Sequence, residues 1–224
     1  MSDTLPKKIT KFYSRIKVYI PNTYYNIIWR RVTKNSITIL DTGCGQGGPI
    51  DFLKKYIPAS VIIGADSFIP YLKECKQKNL YSDLVQCDFN YLPFRDNAFN
   101  TILCLGVIEH FAKNDGLKFL NGIEKIAHKC VISCGAFNYP QEAIDGNPHQ
   151  VHRSRWKAYE FKKLGYTVRG TDGFKWIMIR VRHVHLIRQL IYHLIGLSTI
   201  VFPIVNRLSP INASTIICVK ETIA

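Results

Sequence analysis

The chain has 224 residues, 47% of them hydrophobic and 21% charged, which is ordinary for a soluble globular protein and long enough for one domain with a sizeable core. Met1–Lys11 is polar and basic, with no apolar run and small-residue cleavage site after it, so no secretory leader is expected. Seven scattered cysteines with no C-x-x-C pair, and no His/Cys set at zinc spacing, speak for reduced structural thiols in a cytoplasmic protein and against a metal.

In chain order, Lys11–Arg31 reads as an amphipathic region, followed by Ile37-Thr-Ile-Leu-Asp41-Thr-Gly43-Cys-Gly45-Gln-Gly47-Gly48. That short β-branched run is a strand delivering a carboxylate and a bare backbone turn to a sheet edge. Gly43, Gly45 and Gly48 satisfy G-x-G-x-x-G, so a dinucleotide site comes into consideration. A second strand, Val61–Asp66, ends in an acid 25 residues after Asp41, placed to accept hydrogen bonds from ribose hydroxyls. A third, Leu84–Cys87, ends at Asp88-Phe89, an acceptor for an exocyclic amine beside a ring for a purine face. The fourth, within 99–105, runs into Gly106-Val-Ile-Glu109-His110-Phe111, and a fifth lies near 130–134. Helices are predicted near 48–56, 68–78 and 115–128. Alternation with short connections argues an α/β fold, a parallel sheet with helices on both faces. Ser154–Leu164 reads as a helix with Trp156, Phe161 and Leu164 on one side, Tyr166–Gly170 as a strand, and Ser214–Lys220 as the last strand.

Four motifs in series resemble the class I S-adenosylmethionine-dependent methyltransferases. They are Leu-Asp41-Thr-Gly43-Cys-Gly45-Gln-Gly47, Gly-Ala-Asp66-Ser67, Gln-Cys-Asp88-Phe89 with Leu92-Pro93-Phe94, and Leu105-Gly-Val-Ile-Glu109-His110-Phe111, covering about Ser36 to Ser133. The resemblance implies a Rossmann-like, mostly parallel seven-stranded sheet with an antiparallel last strand. It implies S-adenosylmethionine as cofactor, with Asp41 and the Gly43, Gly45 and Gly47 backbone at the methionine moiety and Asp66 and Ser67 at the ribose. Asp88 and Phe89 would hold the adenine, and Leu105 and Gly106 would wall the sulfur. The family's Asn/Asp-Pro-Pro-Tyr segment for methylating amines is replaced here by Leu105-Gly-Val-Ile. That favours the branch acting on oxygen or carbon of small molecules, quinones and lipids among them. The cluster Asn147-Pro-His149-Gln-Val-His152-Arg153-Ser154-Arg155-Trp156, with His149 and His152 as candidate bases, follows the fifth strand, on the side where the family places its acceptor. A His near neutral pKa suits a proton acceptor there; packing against the next helix is the alternative. Glu109-His110 is the second candidate pair.

One domain is expected: a basic helical region over 1–35, a cofactor-binding core over 36–173, an insert over 174–213 and a final strand over 214–222. The insert is too long for a plain connection. From Val184 to Val201 a helical wheel puts Leu186, Ile187, Leu190, Ile191, Leu194, Leu197 and Val201 on one face and His185, Arg188, Gln189 and Tyr192 on the other. Such a helix either caps the acceptor side as a lid or lies apolar side down on a membrane; it is too interrupted to span one. The +14 net charge is uneven, with eight basic residues against one acid in 1–36 and ten against two in 150–190. The basic segments suit an anionic lipid surface, and the chain carries no readable nucleic-acid module. The expected partner is thus a small or lipid-like, apolar acceptor. A cofactor-binding regulatory protein without turnover is the alternative class.

Overall fold

The computed structural model describes residues 18–19, 21, 23–32, 37–57, 61–136, 140–174 and 213–222. The helix expected over Val184–Val201 and most of the basic N-terminal region lie outside them. The elements run α1 (Tyr24–Val32), β1 (Thr38–Thr42), α2 (Gly48–Leu53), β2 (Val61–Asp66), α3 (Ile69–Gln77), β3 (Asp83–Gln86) and β4 (Thr101–Leu105). There follow a 3-10 turn (Ile108–His110), α4 (Lys113–Ile126), β5 (Lys129–Gly135), a second 3-10 turn (Pro148–Gln150), α5 (Ala158–Lys163), β6 (Thr167–Phe174) and β7 (Ala213–Glu221).

The strands form one seven-stranded sheet in the order β3-β2-β1-β4-β5-β7-β6. β1 to β5 pair in parallel, and β7 runs antiparallel to both β5 and β6. This is the Rossmann-like arrangement with a reversed last strand that the motif series implied. Its central strands are apolar at consecutive positions because both faces are covered, as parallel sheets require. Leu40, Ile102, Ile132 and Ile216 belong to a core shared with α4, Trp156 and Phe161. Their neighbours Ile39, Leu103, Val131 and Ile217 belong to a second core with Ile28 of α1 and Ile50 and Leu53 of α2.

On α4 the buried positions Gly116, Phe119, Leu120, Ile123 and Ile126 follow helical spacing. Gly116 is there because a Cβ would lie 2.7 Å from the Trp156 ring. The helix predicted from Ser154 starts only at Ala158. Residues 153 and 154 instead spend their N–H groups on the Glu109 carbonyl, at 2.9 and 3.0 Å, which holds the chain extended until Trp156 is buried.

Strand order reverses beside β1, since β2 lies on one side of it and β4 on the other; in open α/β sheets the crevice at such carboxyl ends takes the ligand. The opposite ends of β1 and β4 are tied by Asn100, whose Oδ1 accepts from Ile37 N–H (3.0 Å), Thr38 N–H (2.9 Å) and the Thr38 hydroxyl (3.1 Å). Asn100→Ala strands two backbone donors and should lower stability by about 1–2 kcal/mol in urea denaturation, with ligand affinity unchanged because the knot lies at the far end of the sheet.

Candidate active site

Between β1 and α2 the backbone turns through left-handed conformations at Gly43, Gly45 and Gly47, with φ of 65°, 53° and 80°. A Cβ on Gly43 would come within 2.5 Å of Val107 Cγ2, and one on Gly47 within 2.3 Å of Leu80 Cδ1. Gly48, the third glycine of the literal G-x-G-x-x-G match, is simply the first residue of α2, so the spacing that matters ends at Gly47. The Gly45 N–H donates to Asp66 Oδ2 at 2.9 Å and the Cys44 N–H to the Ala65 carbonyl at 3.0 Å, lashing the turn to the tip of β2. Asp66 Oδ1 accepts from Phe68 N–H at 2.9 Å. Burial pushes its pKa up, and those two N–H groups and the neighbouring His149 oppose the rise.

Asp41 lies beneath this turn. Its side chain is 2% exposed, and Oδ2 accepts from the Tyr81 hydroxyl at 2.7 Å. Burial raises its pKa to about 7, with Tyr81 opposing and the Asp66 charge adding to the shift. The carboxylate that the sequence offers for the methionine moiety is therefore committed inward, and the turn's backbone is what faces the cleft.

Above the carboxyl ends of the strands opens a cavity of about 540 Å³. Of the residues singled out from sequence, Gly43, Asp66, Ser67, Asp88, Phe89, Gly106 and His149 line it; Asp41, Gly45, Gly47, Leu105 and His152 do not. Asp88 Oδ1 accepts from both the backbone and side-chain N–H of Asn90, each at 2.9 Å, and Phe89 packs on Phe111 and Phe119. Gln86, Asn90, Asp115, Asn147 and Arg153 also reach the wall. The first two adjoin the motifs, Asn147 and Arg153 belong to the cluster after the fifth strand, and Asp115 has no sequence signal, arriving through helix packing.

One side of the cavity is a strap over residues 140–157. Asp145 anchors its early part, accepting from the Tyr71 hydroxyl of α3 at 3.0 Å and from Gln46 at 3.4 Å. Its later part is held by the Glu109 carbonyl, by His110 Nδ1 against the Val151 carbonyl (3.3 Å), and by the Trp156 indole N–H donating to the Ile108 carbonyl (3.2 Å). His152 stands behind the wall, its ring 4.9 Å from that of His110. Burial and the proximity of His152 lower the His110 pKa, while its backbone partner resists.

Glu109 points the other way. Oε1 has a long contact from Gly135 N–H at 3.5 Å, and the buried Oε2 has no partner among the described residues. Desolvation raises its pKa from 4.5 to about 7. A carboxyl that keeps its proton longer when folded weakens the fold as pH rises from about 4.5 to 7, and no further above that. Glu109→Gln should therefore match the wild type near pH 4.5 and exceed its stability by up to about 3 kcal/mol at pH 8, measured by denaturation across that window.

Residues 39–129 match the methyltransferase domain family. Over those residues the chain is similar to methyltransferase domains. Curated relatives of this domain include an uncharacterised Methanocaldococcus jannaschii protein, MJ0638, 33% identical over 42% of this chain and 37% of its own length. Others are the cycloartenol-C-24-methyltransferase 1 of Oryza sativa (31%, over 34% of this chain and 24% of the relative) and a bovine probable tRNA methyltransferase 9B (32%, over 33% and 15%). The chain thus spans little more than a third of these relatives at most. Among solved structures, the methyltransferase fold is shared with a chain from the complex between the Haloferax volcanii Trm112 methyltransferase activator and its methyltransferase. The two are 15% identical, with a TM-score of 0.60, over 99% of this chain and 98% of that one.

Proposed function

We propose that the protein transfers the methyl group of S-adenosylmethionine to an oxygen or carbon of a small acceptor. The observation that carries this reading is the convergence of Gly43, Asp66, Asp88-Phe89 and Gly106, from the ends of four strands, on one cavity. The residues present fit the cofactor. Two glycines remove side chains where a main-chain approach is needed, an acid at the β2 tip matches ribose hydroxyls, and an acid beside an aromatic ring at the β3 tip matches adenine. Asp66 already accepts two N–H bonds, yet a carboxylate has about four acceptor positions, so capacity for the ribose remains.

When bound, the cofactor supplies a methyl group activated by a sulfonium leaving group. The remaining work is positioning and exclusion of water, for which orientation alone contributes about 7–11 kcal/mol. His149, on the cavity wall with its N–H held by the Asn147 side chain at 2.9 Å, takes the acceptor's hydroxyl proton; His152, packed on His110, supports the strap behind it. The apolar acceptor expected from the amphipathic insert rests on residues outside those described, and the described wall at that end is polar: Asn147, His149, Gln150 and Arg153. The membrane-docking role of Val184–Val201 predicts vesicle binding that rises with anionic lipid and falls with salt. A second acceptor class, RNA, is supported by the likeness to the bovine probable tRNA methyltransferase 9B.

Calorimetry should register binding of S-adenosylmethionine and S-adenosylhomocysteine and none of NAD. Asp66→Asn should weaken cofactor binding by about 1.5–3 kcal/mol, the range for a charge-assisted hydrogen bond. NAD binding in place of the sulfonium would sink the reading. With methyl-labelled cofactor, profiling of cellular small molecules, lipids and RNA identifies the acceptor; cofactor binding without label transfer to any of them would leave a regulatory protein. Once an acceptor is known, His149→Asn should cut turnover roughly 10²–10⁴-fold at unchanged cofactor affinity. Unchanged turnover would remove His149 from the mechanism.

A further inference from the structure

Three acids line the cavity, and each already has a partner. Asp66 accepts from two backbone N–H groups, Asp88 from Asn90, and Asp115 from Lys118 at 3.2 Å. Arg153 is the permanent cation on the same wall, and its guanidinium makes no hydrogen bond or ion pair with any described residue. Its neighbour in space, Glu109, does not neutralise it. The Arg153 N–H is bonded to the Glu109 carbonyl, but the Glu109 carboxyl is turned into the sheet, with Oε1 accepting from Gly135 N–H and Oε2 without a partner among the described residues. The two side chains are thus kept from pairing, Arg153 on the cavity wall and Glu109 against the end of β5.

The place of Arg153 decides what it is for. The ribose and adenine residues stand at the tips of β2 and β3, and Gly43 and Gly106 at those of β1 and β4. Arg153 hangs from the Glu109 carbonyl, three residues past Gly106 in the segment that follows β4. It is also held in advance. The consecutive N–H groups of Arg153 and Ser154 share one carbonyl, Trp156 is buried just after them, and the Gln141 side chain clamps the Gln150 carbonyl at 2.8 Å just before. The backbone that carries this exposed side chain is set in place, and the planar guanidinium fork matches a carboxylate or phosphate in bidentate fashion.

We propose that the acceptor of this methyltransferase carries an oxyanion, a carboxylate or a phosphate, that docks on Arg153, on the cavity wall that His149 also lines, and so places the nucleophile within the cleft. This rests on the transferase reading above and narrows its substrate class.

The test is calorimetry with salicylate and phenyl phosphate as probes, and with salicylamide and phenol as their neutral counterparts. Titrations use the full chain, both free and saturated with S-adenosylhomocysteine, and the variants Arg153→Gln and Arg153→Lys. Binding of at least one acid to the saturated protein is expected, stronger than that of its neutral counterpart. Arg153→Gln should weaken it tenfold or more and Arg153→Lys less, with S-adenosylhomocysteine affinity unchanged. Preference for salicylate over phenyl phosphate, or the reverse, separates the two oxyanions. The proposal is overturned if neither acid binds at millimolar concentration, or if Arg153→Gln binds both as the wild type does. It is overturned too if the variant loses S-adenosylhomocysteine affinity, which would assign Arg153 to the cofactor's own carboxylate. Failure of S-adenosylhomocysteine to bind the wild type would instead strike the transferase reading, while the free-protein titrations still report on Arg153.

Discussion

The cleft exists because two α-carbons in the turn after β1 have room for nothing larger than hydrogen. Gly43 passes against Val107 and Gly47 against Leu80, each closer than any Cβ tolerates. The first contact brings the loop after β4 up to the turn after β1, and the second seats α2 on the residues leading into β3. Asp66 then fixes the turn's height through the Gly45 N–H. Four strand ends are held in one fixed relation by these contacts, so the ligand meets a preformed surface rather than one it must assemble.

The buried acids divide the labour of that surface. Asp66 carries the turn on one oxygen and the start of α3 on the other, and it also lines the cavity. Asp41 has the first of these roles alone, its carboxylate bonded to Tyr81 underneath. The two are close enough for the Asp66 charge to add to the raised pKa of Asp41. Two carboxyls in one desolvated corner are costly to ionise together, and the Tyr81 hydroxyl and the two N–H donors are what offset that cost.

The sheet was legible because its signals are local. β-branched runs, terminal acids and a glycine turn each occupy a few consecutive residues, and β1, β2, β4, β5 and β7 fall within two residues of where the sequence puts them. The strand tips that line the cavity were legible for the same reason, since Asp66 ends β2 and Asp88 and Phe89 lie within three residues of the end of β3. Asp41 shows the limit of such reading, because adjacency to a turn does not say which side of it a carboxylate faces. The acceptor end was harder. The early start read for the helix after Ser154 misses that Arg153 and Ser154 bond to a carbonyl 44 and 45 residues earlier, a contact no periodicity encodes. Arg153 stands in the cluster after the fifth strand, but that cluster assigns it no role; its place on the wall comes from where the strap returns.

The position of β7 has a consequence for synthesis. β6 pairs with β7 and with no other described strand, and β7 in turn bridges it to β5. As the chain leaves the ribosome, β6 is complete at Phe174 while its partner begins at Ala213. At roughly 5–20 residues per second, translation leaves it without that partner for about 2–8 s, a long interval beside the microseconds in which a helix forms. During that interval β5 and β6 both present open backbone edges, the kind of surface on which other chains pair. The parallel half of the sheet can close as it is made, but its antiparallel half waits for the last strand, so a chain arrested or clipped before Ala213 is left with two exposed templates for aggregation.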